Sequence, residues 1–426
     1  MEQQFNKINR VEGSLSLPGD KSISHRSVIF SSLAKGESVI HNLGNGEDVK
    51  STINCFSSMG VNIENHNDTL IVKGLGLKHL KKPISPLNAG NSGTTARLIS
   101  GILVNQDFDS DIIGDESLSR RPMQRIIAPL TLMGAKIQAS PAATLPIKIY
   151  GTKKLNPIEY EVPVASAQVK SCVILSGLHL DDESKVIENI PSRDHTERML
   201  DLKVSYENGK KIIRVSNKDF PVAGEYYVPG DISTSAFFMP LALLTDNSEL
   251  LIKNVSLNET RSGVITILKA MGGNIVTENI KQNNGELSGD LLIKTSQLHN
   301  IEIPSDIIPN IIDEIPILTI ASILASGKFS IRNAKELRGK ESDRISAICS
   351  NLKHLGLNVT EYEDGFEFDG DISNPFPVFE SFEDHRIAMS FAILSLLLPN
   401  GGKVDGFNSV AISNPDFIKQ LKTISR

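Results

Sequence analysis

The chain has 426 residues, of which 40% are hydrophobic and 22% are charged, with a formal net charge of −6 at pH 7. This composition is ordinary for a globular protein, and the length exceeds what one core usually holds, so two domains are expected. The acidic balance, the lack of Trp and the 5% aromatic content argue against a nucleic-acid groove, which needs a basic surface and stacking side chains.

Neither a targeting signal nor a membrane anchor is expected. The first ten residues contain no apolar core of the signal-peptide kind, and the longest apolar run, Ile387 to Leu398, is too short to span a bilayer. We therefore expect a cytoplasmic protein without membrane contacts. Cys55, Cys172 and Cys349 lie far apart in apolar contexts, which fits neither a disulfide framework nor a zinc site, so we expect buried thiols.

The first element with a chemical signature is the turn at residues 18–26, Pro-Gly-Asp-Lys-Ser-Ile-Ser-His-Arg, which opens an apolar helix. Lys21, Ser22 and Arg26 lie near the N-terminus of that helix, where several donors can bind one anion. Residues 229–237, Pro-Gly-Asp-Ile-Ser-Thr-Ser-Ala-Phe, repeat the turn without the two cations. The pattern predicts two similar halves, of which only the first has a charged turn.

A shorter repeat runs through both halves: a hydroxyl-rich turn, an apolar helix, a break and a short β-branched strand, as at Glu37 to His41, Leu250 to Lys253 and Phe329 to Arg332. Three repeats can bury their apolar helix faces together, so we predict two α/β domains of three repeats each. The six repeats start near Lys21, Ser92, Ser166, Asp231, Asp313 and Asp384. In four of them a second helix ends in a glycine pattern typical of a C-cap, at Met59-Gly60, Met133-Gly134, Met271-Gly272 and Leu355-Gly356.

The turn at residues 88–97, Asn-Ala-Gly-Asn-Ser-Gly-Thr-Thr-Ala-Arg, resembles an anion-binding loop because glycine lets backbone amides approach a ligand. It is not a Walker loop, and residues 19–22 lack the upstream glycine, which disfavours a nucleotide kinase. Cations also gather near the repeat turns, and each of them alone is better explained as a solvated surface charge than as a functional one. Together they favour a small polyanionic ligand: Lys21, Arg26, Arg97, Arg120, Arg121, Lys170, Arg193, Arg198, Lys340, Arg344 and Arg386.

Acidic candidates lie in the second half. Asp313 enters an apolar helix either as a binding carboxylate or as a helix cap. The charges of residues 340–344, Lys-Glu-Ser-Asp-Arg, serve either a ligand or ordinary helix pairing. His195 and His385 stand beside carboxylates in a spacing that matches no zinc pattern, so we interpret them as structural and expect neither a metal nor a cofactor.

Seven motifs of the chain resemble those of the 5-enolpyruvylshikimate-3-phosphate synthase family of enolpyruvyl transferases and occur in the order of the family. The resemblance extends from about residue 11 to residue 417. The resemblance implies an inverse α/β, barrel-like fold of two domains with six helix and strand repeats. It also implies that residues 1–18 plus 231–426 form one domain and residues 19–230 the other, with the active site in the cleft between them. The motifs are Leu17–Arg26, Asn88–Arg97, Ser166–Gln168, Ser192–Arg198, Asp313–Pro316, Lys340–Arg344 and Asp384–Arg386.

The resemblance implies transfer of the enolpyruvyl group of phosphoenolpyruvate to the 5-hydroxyl of shikimate 3-phosphate, with release of phosphate through a tetrahedral intermediate. This reaction lies on the pathway to chorismate and the aromatic amino acids. Matching positions imply catalytic roles for Lys21 and Glu341, as proton carriers, and for Asp313, which binds the sugar hydroxyl and is its candidate base. The implied contacts to shikimate 3-phosphate are Lys21, Ser22, Arg26, Ser166, Gln168, Arg193, Asp313 and Lys340. Those to phosphoenolpyruvate are Lys21, Gly93, Arg121, Gln168, Arg344 and Arg386.

Two positions depart from the family pattern. Residues 408–415, Asn-Ser-Val-Ala-Ile-Ser-Asn-Pro, lack a lysine that some members offer to phosphoenolpyruvate, and Glu336 replaces an asparagine used by some members. Neither contact is carried over to this chain. Because Gly93 leaves room beside phosphoenolpyruvate, we expect inhibition by glyphosate, and we expect a monomer.

Two other functions are weighed against this one. The relative that transfers enolpyruvate to UDP-N-acetylglucosamine shares the repeats and one substrate, but it usually carries a reactive cysteine on a loop that corresponds to residues 110–125, where this chain has none. A catalytically dead protein that binds shikimate 3-phosphate is the second alternative. Retention of Lys21, Asp313, Glu341 and Arg386 argues against it.

Overall fold

The computed structural model describes residues 2–66 and 69–426. Contacts between Cα positions divide the chain into two compact units. Unit 1 comprises Met1–Leu17, Pro229–Lys281 and Leu287–Arg426, and unit 2 comprises Pro18–Val228 with the short segment Gln282–Glu286. Each unit has its own core of buried apolar side chains. A search of the described residues finds no helix of the length and apolar character needed to cross a membrane.

The helices of unit 2 come first in the chain. They are α1 (Lys21–Leu33), α2 (Glu47–Ser58), α3 (Gly93–Leu103), α4 (Glu116–Ser119), α5 (Gln124–Leu132), α6 (Ala167–Gly177) and α7 (His195–Met199). Unit 1 contains α8 (Ile232–Leu244), α9 (Gly263–Ala270), α10 (Ile308–Ile311), α11 (Ile315–Ile323), α12 (Arg344–His354), α13 (His385–Leu397) and α14 (Phe417–Ile424). Short 3-10 helices cover Asn217–Asp219, Ser305–Ile307, Lys335–Gly339 and Phe407–Ile412.

The strands lie between these helices. The first eleven are β1 (Gln3–Phe5), β2 (Glu12–Ser16), β3 (Lys35–His41), β4 (Asn62–His66), β5 (Thr69–Leu75), β6 (Leu87–Asn88), β7 (Ser110–Ile113), β8 (Lys136–Gln138), β9 (Ile147–Tyr150), β10 (Glu159–Glu161) and β11 (Ser184–Glu188). The others are β12 (Val204–Glu207), β13 (Lys210–Val215), β14 (Glu225–Tyr227), β15 (Glu249–Ser256), β16 (Asn274–Asn283), β17 (Glu286–Lys294), β18 (Phe329–Ile331), β19 (Asn358–Tyr362), β20 (Gly365–Asp369), β21 (Val378–Glu380) and β22 (Gly402–Asp405).

The sheets reflect the sequence repeat. In unit 2 they have the strand orders β14-β3-β5-β4, β6-β7-β9-β8 and β10-β11-β13-β12. In each, the first pair is parallel and the next two pairs are antiparallel. Unit 1 has β16-β17-β15-β2, β18-β20-β19 and β1-β22-β21. All six are open sheets, so the described strands do not close into a barrel.

The repeated turns are helix caps. The Asp20 carboxylate accepts a hydrogen bond from the amide of Ile23 at 3.0 Å, and the Asp231 carboxylate accepts from the amides of Ser233 and Thr234 at 2.7 and 3.1 Å. An aspartate at this position satisfies amides that the helix itself leaves unpaired. The expected starts of the six apolar helices are confirmed within two residues by α1, α3, α6, α8, α11 and α13.

The glycine-marked helix ends are confirmed as well. In α2 the amide of Val61 donates to the Phe56 carbonyl and the amide of Gly60 donates to the Ser57 carbonyl, the bond pair of a Schellman motif. Gly60 has a φ of +88°, a left-handed conformation that other residues adopt only at a cost. The chain then turns sharply into β4. The same bonds end α5, α9 and α12 at Gly134, Gly272 and Gly356.

The apolar helices fill the two cores. In unit 1, α8, α11 and α13 pack against one another, and in unit 2, α3 packs against α1 and α6. Because these helices are buried on nearly every face, polar side chains gather at their N-terminal turns. Cys55, Cys172 and Cys349 are buried as expected, and burial raises the pKa of each thiol to about 12.

Candidate active site

Lys21 is the first residue of α1, where the macrodipole and the free amides of the helix favour an anion. Its Nζ lies 3.1 Å from Oδ2 of Asp48, which belongs to the first turn of α2. The lysine side chain keeps 28% of its surface exposed and the aspartate 11%. The pair therefore places a cation at a helix start with part of its surface open to a ligand.

Arg26 lies one turn further along α1 and is 3% exposed. Its guanidinium donates to the Ser22 carbonyl at 2.9 Å, to the Ser171 hydroxyl at 2.9 Å and to the Thr196 hydroxyl at 2.7 Å. Burial lowers the pKa of Arg26 to about 10, and the nearby positive charge of Arg193 acts in the same direction. The positive charges of Arg26 and Arg193 favour an anion that would bind between them.

A second group forms around the start of α3. Gln168 accepts a hydrogen bond from Nη1 of Arg97 and donates one to the Thr94 hydroxyl at 3.0 Å. A Cβ atom on Gly93 would lie 2.7 Å from Nη1 of Arg97 and 3.7 Å from Nη1 of Arg121, so only glycine leaves this space. Two guanidinium groups thus border the amide end of α3.

Most of the predicted residues of unit 2 belong to the first turns of α1, α3 and α6, whereas Arg121 follows α4 and Arg193 precedes α7. Arg121 donates to Asn91 Oδ1 at 2.8 Å, and Ser166 is the half-buried residue that precedes α6. Arg97 is one of the cations near the repeat turns and has no predicted substrate contact, but its guanidinium binds Gln168 directly. We define the basic cluster as Lys21, Arg26, Arg97, Arg121 and Arg193.

Three of the cations near the repeat turns, Lys170, Arg198 and Arg120, do not belong to the basic cluster. Lys170 has no exposed side-chain surface, and its Nζ lies 2.9 Å from Glu188 and 2.7 Å from Glu197. Arg198 pairs with Asp194 at 2.8 Å, and Arg120, which is 72% exposed, pairs with Glu116 at 3.2 Å. Lys170 is therefore a structural cation, and Arg120 is a surface residue.

In unit 1 the predicted residues meet around Asp313. Its Oδ1 lies 3.3 Å from Nη1 of Arg344 and 3.5 Å from Nζ of Lys340. The helix α11 starts at Ile315 and its N-cap residue is Glu314, so Asp313 is not the cap of this helix. Lys340 also pairs with Glu336, the residue that departs from the family pattern, at 3.2 Å.

Arg344 is 1% exposed and faces three carboxylates. Its Nη2 lies 2.6 Å from Glu341 Oε2 and its Nε lies 2.7 Å from Asp384 Oδ2, besides the contact with Asp313. Burial lowers the pKa of Arg344, but the charges of Asp384, Glu341 and Asp313 outweigh it and raise the pKa overall. Glu341 remains 18% exposed, the most accessible carboxylate of the three.

Asp343, in contrast, caps α12: its carboxylate accepts from the amide of Ser346 at 3.2 Å and pairs with Arg338 at 2.7 Å. Within the motif of residues 340–344, Glu341 and Arg344 make the ion pair expected of ordinary helix pairing, and their ligand role stays a prediction. Lys340, Glu341 and Arg344 join the ion-pair cluster, and Asp343 is a structural cap.

Arg386 occupies the first turn of α13. Its Nη1 donates to the Asp313 carbonyl at 3.0 Å and lies 3.3 Å from Oε1 of Glu314. Glu314, at 1% exposure, also binds Arg261 and the Ser233 hydroxyl. Glu314 has no predicted ligand role, and Arg261 lies outside the seven motifs. We define the mixed-charge cluster as Asp313, Glu314, Lys340, Glu341, Arg344, Asp384, Arg386 and Arg261.

The two histidines beside carboxylates are buried. Nδ1 of His195 lies 2.8 Å from Glu286, and His385 is 2% exposed at the start of α13. Over the described ranges, no three or more His, Cys, Asp or Glu side chains are grouped in a way that could hold a metal ion.

Comparison with known proteins decides the family. A sequence model described as EPSP synthase (3-phosphoshikimate 1-carboxyvinyltransferase) matches residues 5–421. The chain belongs to the EPSP synthase family. This result confirms the resemblance seen in the seven motifs, and with it the assignment of the protein to the transferases of the shikimate pathway.

Curated members of the EPSP synthase family match along their whole length. A 3-phosphoshikimate 1-carboxyvinyltransferase from Petrotoga mobilis is 46% identical over 430 residues, which cover 100% of this chain and 99% of the relative. One from Streptococcus thermophilus is 44% identical over 424 residues, 98% of each chain.

Solved structures agree with the EPSP synthase fold. An EPSP synthase from Acinetobacter baumannii superposes with a TM-score of 0.86 at 42% identity, covering 99% of this chain and 97% of that chain. The enolpyruvyl transferase NikO from Streptomyces tendae reaches a TM-score of 0.76 at 13% identity, with the same coverage, and shares the fold alone. The expected two-domain α/β fold of the enolpyruvyl transferases is therefore confirmed.

Proposed function

We propose that this protein transfers the enolpyruvyl group of phosphoenolpyruvate to the 5-hydroxyl of shikimate 3-phosphate and releases phosphate. The observation that carries the proposal is the basic cluster, which brings Lys21 and four guanidinium groups to unit 2, several of them at helix N-termini. Cations at helix N-termini suit substrates that carry phosphate and carboxylate groups.

We propose that shikimate 3-phosphate is bound by the residues around α1 and α6 and by Asp313 and Lys340 of the mixed-charge cluster. Buried Arg26 and neighbouring Arg193 supply charge-assisted hydrogen bonds to the 3-phosphate. Asp313 accepts a hydroxyl of the ring, with Lys340 beside it. The complete set is Lys21, Ser22, Arg26, Ser166, Gln168, Arg193, Asp313 and Lys340.

Phosphoenolpyruvate is assigned to guanidinium groups and to the space beside Gly93. Planar guanidinium groups make paired hydrogen bonds to carboxylate and phosphate oxygens, which a lysine cannot reproduce. Because Gly93 has no Cβ, Nη1 of Arg97 can lie close to its backbone, with Nη1 of Arg121 nearby. The proposed contacts are Lys21, Gly93, Arg121, Gln168, Arg344 and Arg386.

The chemistry needs two proton transfers in each direction. In the addition, Asp313 takes the proton of the 5-hydroxyl, the oxygen attacks the central carbon of phosphoenolpyruvate, and Glu341 or Lys21 protonates the methylene carbon. The product is a tetrahedral ketal phosphate whose charge the guanidinium groups stabilise. In the elimination, the bond between the central carbon and the phosphate oxygen breaks, and the residue that protonated the methylene carbon takes a proton back from the new methyl group, which restores the double bond.

The contacts of Arg344 fit this scheme. The same guanidinium binds both proposed proton carriers of unit 1, Asp313 at 3.3 Å and Glu341 at 2.6 Å. An incoming phosphoenolpyruvate competes with Glu341, the more exposed of the two, for this guanidinium. Binding of the substrate thereby frees the Glu341 carboxylate from its ion pair, and the carboxylate must take up a proton before it can protonate the methylene carbon.

The deciding experiment is phosphate release by the purified protein with phosphoenolpyruvate plus shikimate 3-phosphate, and with UDP-N-acetylglucosamine as the alternative acceptor. Release that requires shikimate 3-phosphate supports the proposal. Release only with the nucleotide sugar would show that the protein transfers enolpyruvate to UDP-N-acetylglucosamine, and binding of shikimate 3-phosphate without release would show a catalytically dead binding protein.

We further propose a cytoplasmic monomer, for which light scattering should give a mass near 46.4 kDa.

A further inference from the structure

The guanidinium of Arg386 is bordered by a buried ion pair that the proposed chemistry does not use. Nη1 of Arg261 lies 2.8 and 2.9 Å from the two oxygens of Glu314, and Nη1 of Arg386 lies 3.3 Å from one of them. The Ser233 hydroxyl donates to the same carboxylate. Arg261 is 3% exposed and Glu314 is 1% exposed, so both are shielded from solvent.

We propose that Arg261 and Glu314 are positioning residues that hold Arg386 in place and leave it with the positive charge that binds phosphoenolpyruvate. The inference rests on the proposed function and concerns the affinity for this one substrate. Neither residue is proposed to touch substrate, because both lie behind Arg386 in the buried part of unit 1.

The charge of the group carries the argument. A carboxylate paired with Arg386 alone would neutralise it, and in a buried setting that attraction is strong. Arg261 contacts the same carboxylate through both oxygens, so the group of Arg261, Glu314 and Arg386 has a net charge of +1. The positive charge of Arg386 is thus retained for an anion, while its side chain has a fixed counter-ion.

Arg344 shows the opposite balance. It faces Asp313, Glu341 and Asp384, so its surroundings carry an excess of negative charge. An anion reaches it only after a carboxylate has moved. Of the two arginines of unit 1 assigned to phosphoenolpyruvate, Arg386 is therefore the one prepared to bind before any rearrangement.

Geometry supports the same role. Besides the Glu314 contact, Nη1 of Arg386 donates to the Asp313 carbonyl at 3.0 Å, and the backbone amide of Arg386 donates to Asp384 at 2.8 Å. These contacts fix the side chain at its root and at one nitrogen. A guanidinium has five N–H groups, and a pair of them can serve the substrate.

The test removes the charge of Arg261 alone and then the charges of Arg261 and Glu314 together. Arg261→Gln leaves Glu314 to neutralise Arg386, and we expect the KM for phosphoenolpyruvate to rise about tenfold, with the KM for shikimate 3-phosphate changed less than about twofold. The double variant Arg261→Gln with Glu314→Gln restores the net charge of +1. We expect its KM for phosphoenolpyruvate to return to within about threefold of wild type.

A purely structural role predicts the reverse order, because the double variant would then be at least as damaged as the single one. That order, or an unchanged KM in a folded Arg261→Gln protein, would overturn the inference. Should Arg261→Gln fail to fold, Arg261→Lys keeps the charge and takes its place. The charge argument requires both Arg261→Lys and the double variant to keep the wild-type KM within about threefold, and a tenfold rise in either refutes it.

Lys269→Gln is the matched control, because Lys269 is an exposed cation on α9, the helix that follows Arg261. Its KM values should equal those of wild type. The wild-type assay separates the two hypotheses: absence of turnover with shikimate 3-phosphate refutes the proposed function, whereas turnover with an unresponsive Arg261→Gln variant refutes only the positioning role. Phosphoenolpyruvate titrated by calorimetry into each variant saturated with shikimate 3-phosphate gives the same order of affinities without relying on turnover.

Discussion

The carboxylate of Asp384 and the guanidinium of Arg344 form a buried ion pair, with Oδ2 2.7 Å from Nε and at most 1% of either side chain exposed. Its other oxygen accepts a hydrogen bond from the backbone amide of Arg386 at 2.8 Å. One carboxylate therefore joins the two arginines assigned to phosphoenolpyruvate. The charge of Arg344 outweighs the effect of burial and lowers the pKa of Asp384, so the carboxylate remains ionised.

We expect Asp384→Asn to damage both stability and turnover. The amide keeps the shape but leaves a buried guanidinium with less counter-charge, a change that typically lowers the free energy of unfolding by about 3–5 kcal/mol. Because Arg344 and Arg386 lose a common anchor, kcat/KM for phosphoenolpyruvate should fall by about one to two orders of magnitude. Urea denaturation and steady-state kinetics measure the two effects. Asp371→Asn, at an exposed position, should change neither, and wild-type kinetics in Asp384→Asn would contradict the anchoring role.

The parts of the fold that the sequence predicted depend on residues adjacent in the chain. Asp20 and Asp231 cap helices that begin one residue later, and the left-handed Gly60 ends a helix next to it. Such local signals determine where an element starts and stops whatever surrounds it. The motif residues Lys21, Gly93, Gln168 and Arg386 lie in the first turns of helices, and their roles toward the substrates stay predictions.

The rest depends on packing between distant segments. Arg97 is 71 residues from its partner Gln168, and Arg261 is 53 residues from Glu314, so no local pattern indicates either contact. Lys170 has the sequence context of an accessible cation but is wholly buried in ion pairs. Ionic partners of this kind follow only from the three-dimensional arrangement of the helices.

Asp313→Asn should separate chemistry from binding. The carboxylate lies near Lys340 and Arg344, and an amide at this place still accepts a hydrogen bond but no proton. We expect kcat to fall by about two to four orders of magnitude and the KM for shikimate 3-phosphate to rise less than about tenfold. Steady-state kinetics with each substrate varied measure both. Asp306→Asn is the control, because Asp306 is an exposed aspartate close to Asp313 in the sequence, and its kinetics should equal those of wild type. A wild-type kcat in Asp313→Asn would exclude the role of Asp313 as the base.

Gly93→Ala should lower sensitivity to glyphosate, which we expect to inhibit the wild-type protein in competition with phosphoenolpyruvate. The added Cβ would lie 2.7 Å from Nη1 of Arg97, which must then move from its contact with Gln168. Narrowing the space beside Gly93 should weaken the binding of glyphosate, the longer ligand, more than the binding of phosphoenolpyruvate. The inhibitory concentration should rise at least about tenfold more than the KM for phosphoenolpyruvate. Gly224→Ala, whose Cβ would meet no atom within 4 Å, should retain wild-type inhibition, and equal inhibition of both variants would refute the assignment of this space.

The stability of unit 2 should depend on the protonation of His25. Its Nδ1 lies 2.7 Å from the Thr52 hydroxyl, and the ring is wholly buried on α1 close to Lys21. Burial lowers the pKa of His25 from 6.5 to about 3, and the charges of Lys21 and Arg26 act in the same direction against the raising effect of Asp48. The unfolded chain therefore binds a proton that the folded protein does not bind between these two values.

This difference makes stability rise with pH between about 3 and 6.5, so acidification from pH 7.5 to pH 5 should weaken the wild-type protein. We expect His25→Asn, which can keep a hydrogen bond to Thr52, to lose about 2 kcal/mol less unfolding free energy than wild type over that interval. Urea denaturation at both pH values measures the difference. His354→Asn removes an exposed histidine at the end of α12 and should follow the wild-type curve. An identical pH dependence in His25→Asn and wild type would show that His25 takes up its proton equally in the folded and unfolded chains.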